Sequence, residues 1–117
     1  MNTKINLTYK GIDYTLEYDR MSVKLLENEG FSLRDFSERP MTNLELAFSG
    51  SFIKNHRKIS QNIIDEIFSK MTNKEELVST LSKMINECYE SLMEEPEGDE
   101  GNISWEAVGS APTKENR

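Results

Sequence analysis

His56 and Cys88 are the only histidine and the only cysteine in this chain, and that scarcity bounds its chemistry. A nucleophilic mechanism needs a base beside a Ser or Cys. The single imidazole lies in Asn55-His56-Arg57-Lys58, a polar stretch between two apolar stripes. A solvated loop histidine, or one interacting with a helix dipole, is the expected role there. Cys88 falls within a helical apolar stripe and reads as a small core residue, because no cation is expected beside it to lower its pKa. One His and one Cys are too few for a zinc site. The acidic run Glu94–Glu100 lacks EF-hand spacing, no GxxxxGK[ST] or GxGxxG pattern is present, and nothing singles out a carboxylate pair for glycoside chemistry. The chain is expected not to be an enzyme and to need no cofactor or metal.

Charge narrows the partners. The formal net charge is −7, and seven of the 21 acids lie from Glu94 onward against only Lys114 and Arg117. An acidic chain repels phosphate backbones, and no Lys/Arg cluster with interleaved aromatics is present, so neither nucleic acid nor an anionic membrane is an expected partner. No stretch approaches the roughly 18 apolar residues of a membrane span. The N-terminus alternates polar and apolar residues instead of carrying a signal-peptide core. With a lone cysteine, which forms no intrachain disulfide, this points to the cytoplasm.

The elements that would position any site are legible in the periodicity. Met41–Met71 is the organising stretch. Leu44, Ala47, Phe48, Ser51 and Phe52 share one helical stripe, with Thr42 and Glu45 spaced as a capping box. Ile59, Ile63, Ile67 and Met71, with Ile64 and Phe68 beside them, form a second stripe that Ser60 can cap. So short a connection predicts two helices packed roughly antiparallel. Upstream, Ile5, Leu7, Tyr9, Ile12, Tyr14 and Leu16 alternate with polar residues. A two-residue loop at Lys10-Gly11 would pair 9 with 12, 7 with 14 and 5 with 16, and put every apolar residue on one face. A helix is predicted over about 20–29, ended by Gly30. Phe31, Leu33 and Phe36 should plug the edge of the core before Arg39-Pro40. A longer helix is predicted over about 74–93, capped by Thr72 or Asn73, with Leu77, Leu81, Met84, Ile85, Cys88 and Leu92 along its stripe.

The expected fold is therefore α+β, mainly α: an N-terminal β-hairpin packed on a small bundle of about four helices, over residues 1–93. At 117 residues there is room for one such domain. Only 36% of residues are apolar, so part of the length should lie outside the core. Residues 94–117 fit that part, a flexible acidic tail carrying the short apolar motif Ile103-Ser104-Trp105, with Gly109 to Arg117 reading as disordered.

With chemistry set aside, interaction remains. Phe48 and Phe52 lie beside Ala47, Ser49, Gly50 and Ser51. A glycine inside a helix costs up to about 1 kcal/mol, so Gly50 suggests close approach by another backbone, from the same fold or from a partner. Ile103 and Trp105 on an acidic tether either dock on a partner or fold back on their own bundle. Phe48, Phe52, Ile103 and Trp105 are the candidate partner-binding residues.

The order of several short motifs resembles a known family. They are Tyr14-Thr15-Leu16-Glu17; Arg39-Pro40-Met41-Thr42 leading to Phe48-Ser49-Gly50-Ser51-Phe52 and His56-Arg57; and Met93-Glu94-Glu95-Pro96 leading to Gly101-Asn102-Ile103-Ser104-Trp105. Over roughly Thr3 to Ala107 the chain resembles the small tail assembly chaperones of long-tailed phages and prophages. That resemblance implies a non-catalytic protein of the bacterial host cytoplasm, absent from the mature virion. Several copies would bind the tape measure protein, a long, largely helical, apolar chain, and keep it soluble until the tail tube polymerises. Self-association would accompany such coating. The alternative is a structural virion component such as a head–tail connector or tail completion protein.

Overall fold

Alternating side chains and a two-residue turn produce the first element of the computed structural model, which describes residues 2–36, 38–98 and 101–109. β1 (Ile5–Tyr9) and β2 (Ile12–Leu16) form an antiparallel hairpin, pairing Ile5 with Leu16, Leu7 with Tyr14 and Tyr9 with Ile12. Lys10 and Gly11 sit at φ 51° and 78°, the positive values of a type I′ turn, whose twist matches that of the strands. The register predicted from the sequence is the one observed.

Among the described residues, four helices follow: α1 (Arg20–Asn28), α2 (Pro40–Gly50), α3 (Gln61–Lys70) and α4 (Lys74–Leu92). Asp19 caps α1 reciprocally with Ser22, each side chain bonding the other's backbone N–H. Gly30, at φ 102°, turns the chain away after it. Phe31 and Phe36 are buried edge-to-face at 5.7 Å, closing the core edge as expected.

Two caps differ from expectation. Thr42 and Glu45 form no capping box, because α2 begins earlier, with Pro40 at its first turn. Proline's fixed φ and missing N–H suit that position, so the helix starts without a side-chain cap. Asn73 does precede α4, but in a left-handed conformation (φ 53°) and without a capping bond. Glu75 and Glu76 in the first turn face the positive end of the helix dipole instead. Ser60 caps α3 as expected, accepting the Ile63 N–H at 3.3 Å.

α2 sits at the centre of the packing. Phe48 meets Phe52 at 5.3 Å and Phe68 of α3 at 5.2 Å, all edge-to-face. Gln61 at the start of α3 reaches Ser49 near the end of α2 at 3.0 Å, so the two helices fold back on each other, but across ten residues of turns, 51–60, and not the short connection expected. The α3 stripe is rotated from its predicted centre: Ile64 and Ile67 are buried, while Ile59, Ile63, Phe68 and Met71 pack around them half-buried. Leu16, Ala47, Leu81 and Ile85 complete a core joining hairpin, α2 and α4. A Cβ at Gly50 would lie 2.4 Å from Leu26 Cδ2. The close approach expected at Gly50 thus comes from within the fold, and from a side chain rather than a backbone.

The hairpin is fastened along one edge. With Tyr14 and Leu16 facing β1, the outward backbone groups of β2 belong to Thr15 and Glu17. The turns after α2 meet them. Ser51 O accepts the Glu17 N–H at 3.0 Å, His56 Nε2 accepts the Thr15 N–H at 3.0 Å, and Asn55 Nδ2 donates to Thr15 O at 3.1 Å.

Candidate binding surface

His56 and Tyr18 each hold one part of the fold to another through a hydrogen bond. His56 was expected to be a solvated loop or helix-end residue; instead it is half-buried, bonded to β2, with its ring 5.0 Å from that of Tyr14. Cys88 is half-buried against the core, and burial, then the Asp19 and Glu87 carboxylates, raise its thiol pKa away from the reactive thiolate. Burial likewise pushes Tyr18 well above the ordinary tyrosine range; its hydroxyl donates to Ala47 O at 2.5 Å. Among the described residues, no group of three or more His, Cys, Asp or Glu is placed to hold a metal, and no helix is long and apolar enough to cross a membrane.

The surface offers apolar concavity. One open groove of about 710 Å³ runs along α2, where α1, the turns after α2 and α3 meet. Leu25, Leu26, Leu46, Ile53, Ile59 and Ile64 give it an apolar lining; Glu29, Glu45, Asp65 and Arg57 are its charged lining residues. A second groove, about 360 Å³, lies between α2 and α3 and is lined by Pro40, Met41, Leu44, Phe48, Ile64 and Phe68, with Glu45, Ser49 and Asp65. Met41 is 88% exposed there, a large apolar side chain without cover.

The four residues singled out from the sequence divide into two pairs. Phe48 and Phe52 are together, but they are 2% and 1% exposed, so their rings are core and a direct partner-facing role for them has to be revised. Helical periodicity marks an apolar stripe without saying which of its residues end inside; here each ring contributes only to the floor of a groove. Ile103 and Trp105 are 88% and 84% exposed and do not fold back on the bundle. The tail leaves α4 at Leu92, Asn102 Nδ2 donates to Gly98 O, and every described residue from Glu94 to Gly109 is exposed. The stretch read as disordered falls, beyond Gly109, outside the described residues. Sequence reasoning missed Met41, Leu25 and Met21, which are exposed at 88%, 41% and 57%. Met41 had a signal: it stands three residues before Leu44 and seven before Phe48 on the same helical stripe.

Comparison with known proteins gives one family. A model described as a domain of unknown function (DUF5055) matches residues 1–108, a span that takes in the hairpin, all four helices and the exposed Asn102–Val108 segment. No curated protein and no solved structure shows a significant match.

Proposed function

Because the chain belongs to the DUF5055 family, whose description carries no activity, its function has to be read from its own surfaces, and we propose that it is a non-catalytic tail assembly chaperone. In this reading it binds the tape measure protein of a long-tailed phage or prophage in the bacterial cytoplasm. It releases that client when the tail tube polymerises and is absent from the finished particle.

The open groove along α2 carries the reading. An amphipathic helix buries its apolar stripe in such a groove, with anchors three and four residues apart. Leu25, Leu46, Ile53 and Ile59 offer the facing apolar surface, while Glu29, Glu45 and Asp65 favour a helix flanked by Lys or Arg. A long helical client presents that pattern repeatedly, so weak contacts by several copies add through effective concentration. The motif order that resembles tail chaperones supplies the identity of the client.

Co-expression with the tape measure protein of the same virus tests the proposal. The client should become soluble and co-purify with several copies of this chain. Leu25→Glu, at a position 41% exposed on the groove wall, should abolish that effect while leaving the protein folded. A client that stays insoluble and alone removes the chaperone role. Recovery of this chain in purified particles would identify a structural virion component instead.

A further inference from the structure

Trp105 is the only tryptophan in the chain, and it stands 84% exposed on a segment whose described residues are all exposed. Yet the family match runs to residue 108 and so includes it. The same molecule carries an apolar groove of about 360 Å³ between α2 and α3, with Met41 uncovered at its edge. We propose that the Ile103–Trp105 segment of one copy docks in the α2–α3 groove of a second copy, so that the chain assembles head to tail.

Volume and chemistry match. The groove's ~360 Å³ has room for one aromatic side chain, and Pro40, Met41, Leu44 and Phe68 present the aliphatic, thioether and aromatic surface that favours an indole. Glu45 and Asp65 are the carboxylates in the lining that can accept its N–H. Charge is divided. Glu45 and Asp65 lie in the lining, whereas Lys74 Nζ, 5.1 Å from the Phe68 ring centroid, puts a cation at this end of the groove, and Arg39 precedes Pro40 in the sequence. Neither Lys74 nor Arg39 forms an ion pair among the described residues. Glu106, next to Trp105, and the acidic tether bring the carboxylates they lack.

In the single chain the segment stays exposed and the groove stays open although the tether is long enough to join them, and this favours a second copy as the occupant. Thr3 donates to the Glu87 carboxylate at 2.9 and 2.7 Å, and Arg20 to Ser91 O at 2.6 Å, so α4 ends beside the start of the hairpin and of α1. Lys74, by the groove, begins α4; the tail departs from the other end of this 19-residue helix, ~27 Å away at 1.5 Å per residue. The turn bonded from Asn102 to Gly98 O then uses part of the tether's length. A contact between two different surfaces of identical copies is heterologous and builds rings or open filaments. An open filament is the form that can follow a long client, but the docking itself depends only on the two surfaces.

The test uses the full chain alone, without any client, so its outcome is independent of the tape measure reading. Sedimentation velocity and intrinsic fluorescence are followed across a concentration series. Supporting behaviour is a concentration-dependent rise in mass with a shift of tryptophan emission to shorter wavelength. Trp105→Ala should weaken self-association ~30-fold or more, the scale of an interface hot spot. Met41→Glu, at a site too exposed to threaten folding, should keep the emission at its long-wavelength position. The proposal is overturned by a monomer with exposed tryptophan at every concentration. It is equally overturned by a short-wavelength emission independent of concentration, which would mean docking in cis, or by assembly that persists in both variants.

Discussion

Thr15 donates its backbone N–H to Nε2 of His56 at 3.0 Å, so an imidazole from the turns after α2 satisfies the outer edge of β2. As an acceptor there, Nε2 carries no proton, which places the ring N–H on Nδ1. The same ring stacks edge-on with Tyr14 at 5.0 Å and Phe52 at 6.4 Å. His56 thus ties the hairpin to the helices by both polarity and packing. His56→Ala should destabilise the protein by about 1–3 kcal/mol, the cost of an unmade buried hydrogen bond. His56→Gln retains an acceptor of similar reach and should lose less. Urea unfolding of the two variants is the check; equal losses would mean that only ring packing matters.

Glu17 extends that junction into a pH dependence. Its side chain is 11% exposed; Lys54 Nζ donates to it at 2.8 Å and Asn55 Nδ2 at 2.9 Å. The hydrogen bond from Lys54, then that from Asn55, lower its pKa below the usual glutamate range, and the same bond to Glu17 raises that of Lys54. A depressed carboxylate contributes stability that is fully present above its unfolded pKa and is lost as pH falls through the folded value. For Lys54 the sign reverses: its contribution is complete below the ordinary lysine range and lost as pH rises through the raised value. Glu17→Gln should therefore be less stable than wild type at neutral pH and converge with it in acid. Thermal melts at pH 7 and below the carboxylate range measure this, and a gap unchanged by acid would show that charge is not the cause.

Gly50 and Leu26 should be energetically coupled. An alanine Cβ at position 50 would approach Leu26 Cδ2 to 2.4 Å and Cγ to 2.8 Å, and Leu26 is only 3% exposed, so it has little room to yield. Alanine gains up to about 1 kcal/mol of helix propensity over glycine, whereas overpacking costs about 1–3 kcal/mol. Gly50→Ala should thus be neutral to destabilising by about 2 kcal/mol, against what propensity alone predicts. In Leu26→Ala, where the obstacle is gone, the same substitution should stabilise. A double-mutant cycle by chemical denaturation gives the coupling, and additive effects would show that α1 shifts freely.

The sequence was most legible where a single period settled the outcome. Strict alternation from Ile5 to Leu16 leaves one register that puts half-buried Leu7 on the same face as buried Tyr14 and Leu16, so hairpin pairing follows from pattern alone. Leu77, Leu81, Met84 and Ile85 likewise mark the buried face of α4. The α2 start was missed because Thr42 and Glu45 satisfy a local spacing rule while Pro40 sets the helix start three residues earlier, with Arg39 at the N-cap. Phe48 and Phe52 show the limit for the candidate site, since a stripe identifies apolar residues without separating the core from the groove floor. His56 was harder still: its partner is 41 positions away on β2, and no local signal carries a contact of that separation.

Asn43 is another residue whose role lies in distant contacts. It is 2% exposed in α2, and its side chain reaches the connector before the helix, accepting the Ser32 N–H at 3.0 Å and donating to Arg39 O at 3.0 Å and Asp35 O at 3.4 Å. It thereby holds the loop that places Phe31 and Phe36 on the core. Asn43→Asp has nearly the same shape but turns the donating group toward two carbonyl oxygens as a carboxylate oxygen and buries a charge. A loss of about 3 kcal/mol or more is expected, the scale of an uncompensated buried charge. Asn43→Ala removes the bonds without adding the charge and should lose about 1–3 kcal/mol. Since Arg34 lies exposed in this connector and is followed by Asp35, limited trypsin digestion at that bond reports its opening directly. Cleavage should accelerate in the order wild type, Asn43→Ala, Asn43→Asp. If Asn43→Asp instead resists trypsin like wild type at pH 7, the side chain does not face those carbonyls and another contact holds the connector to α2.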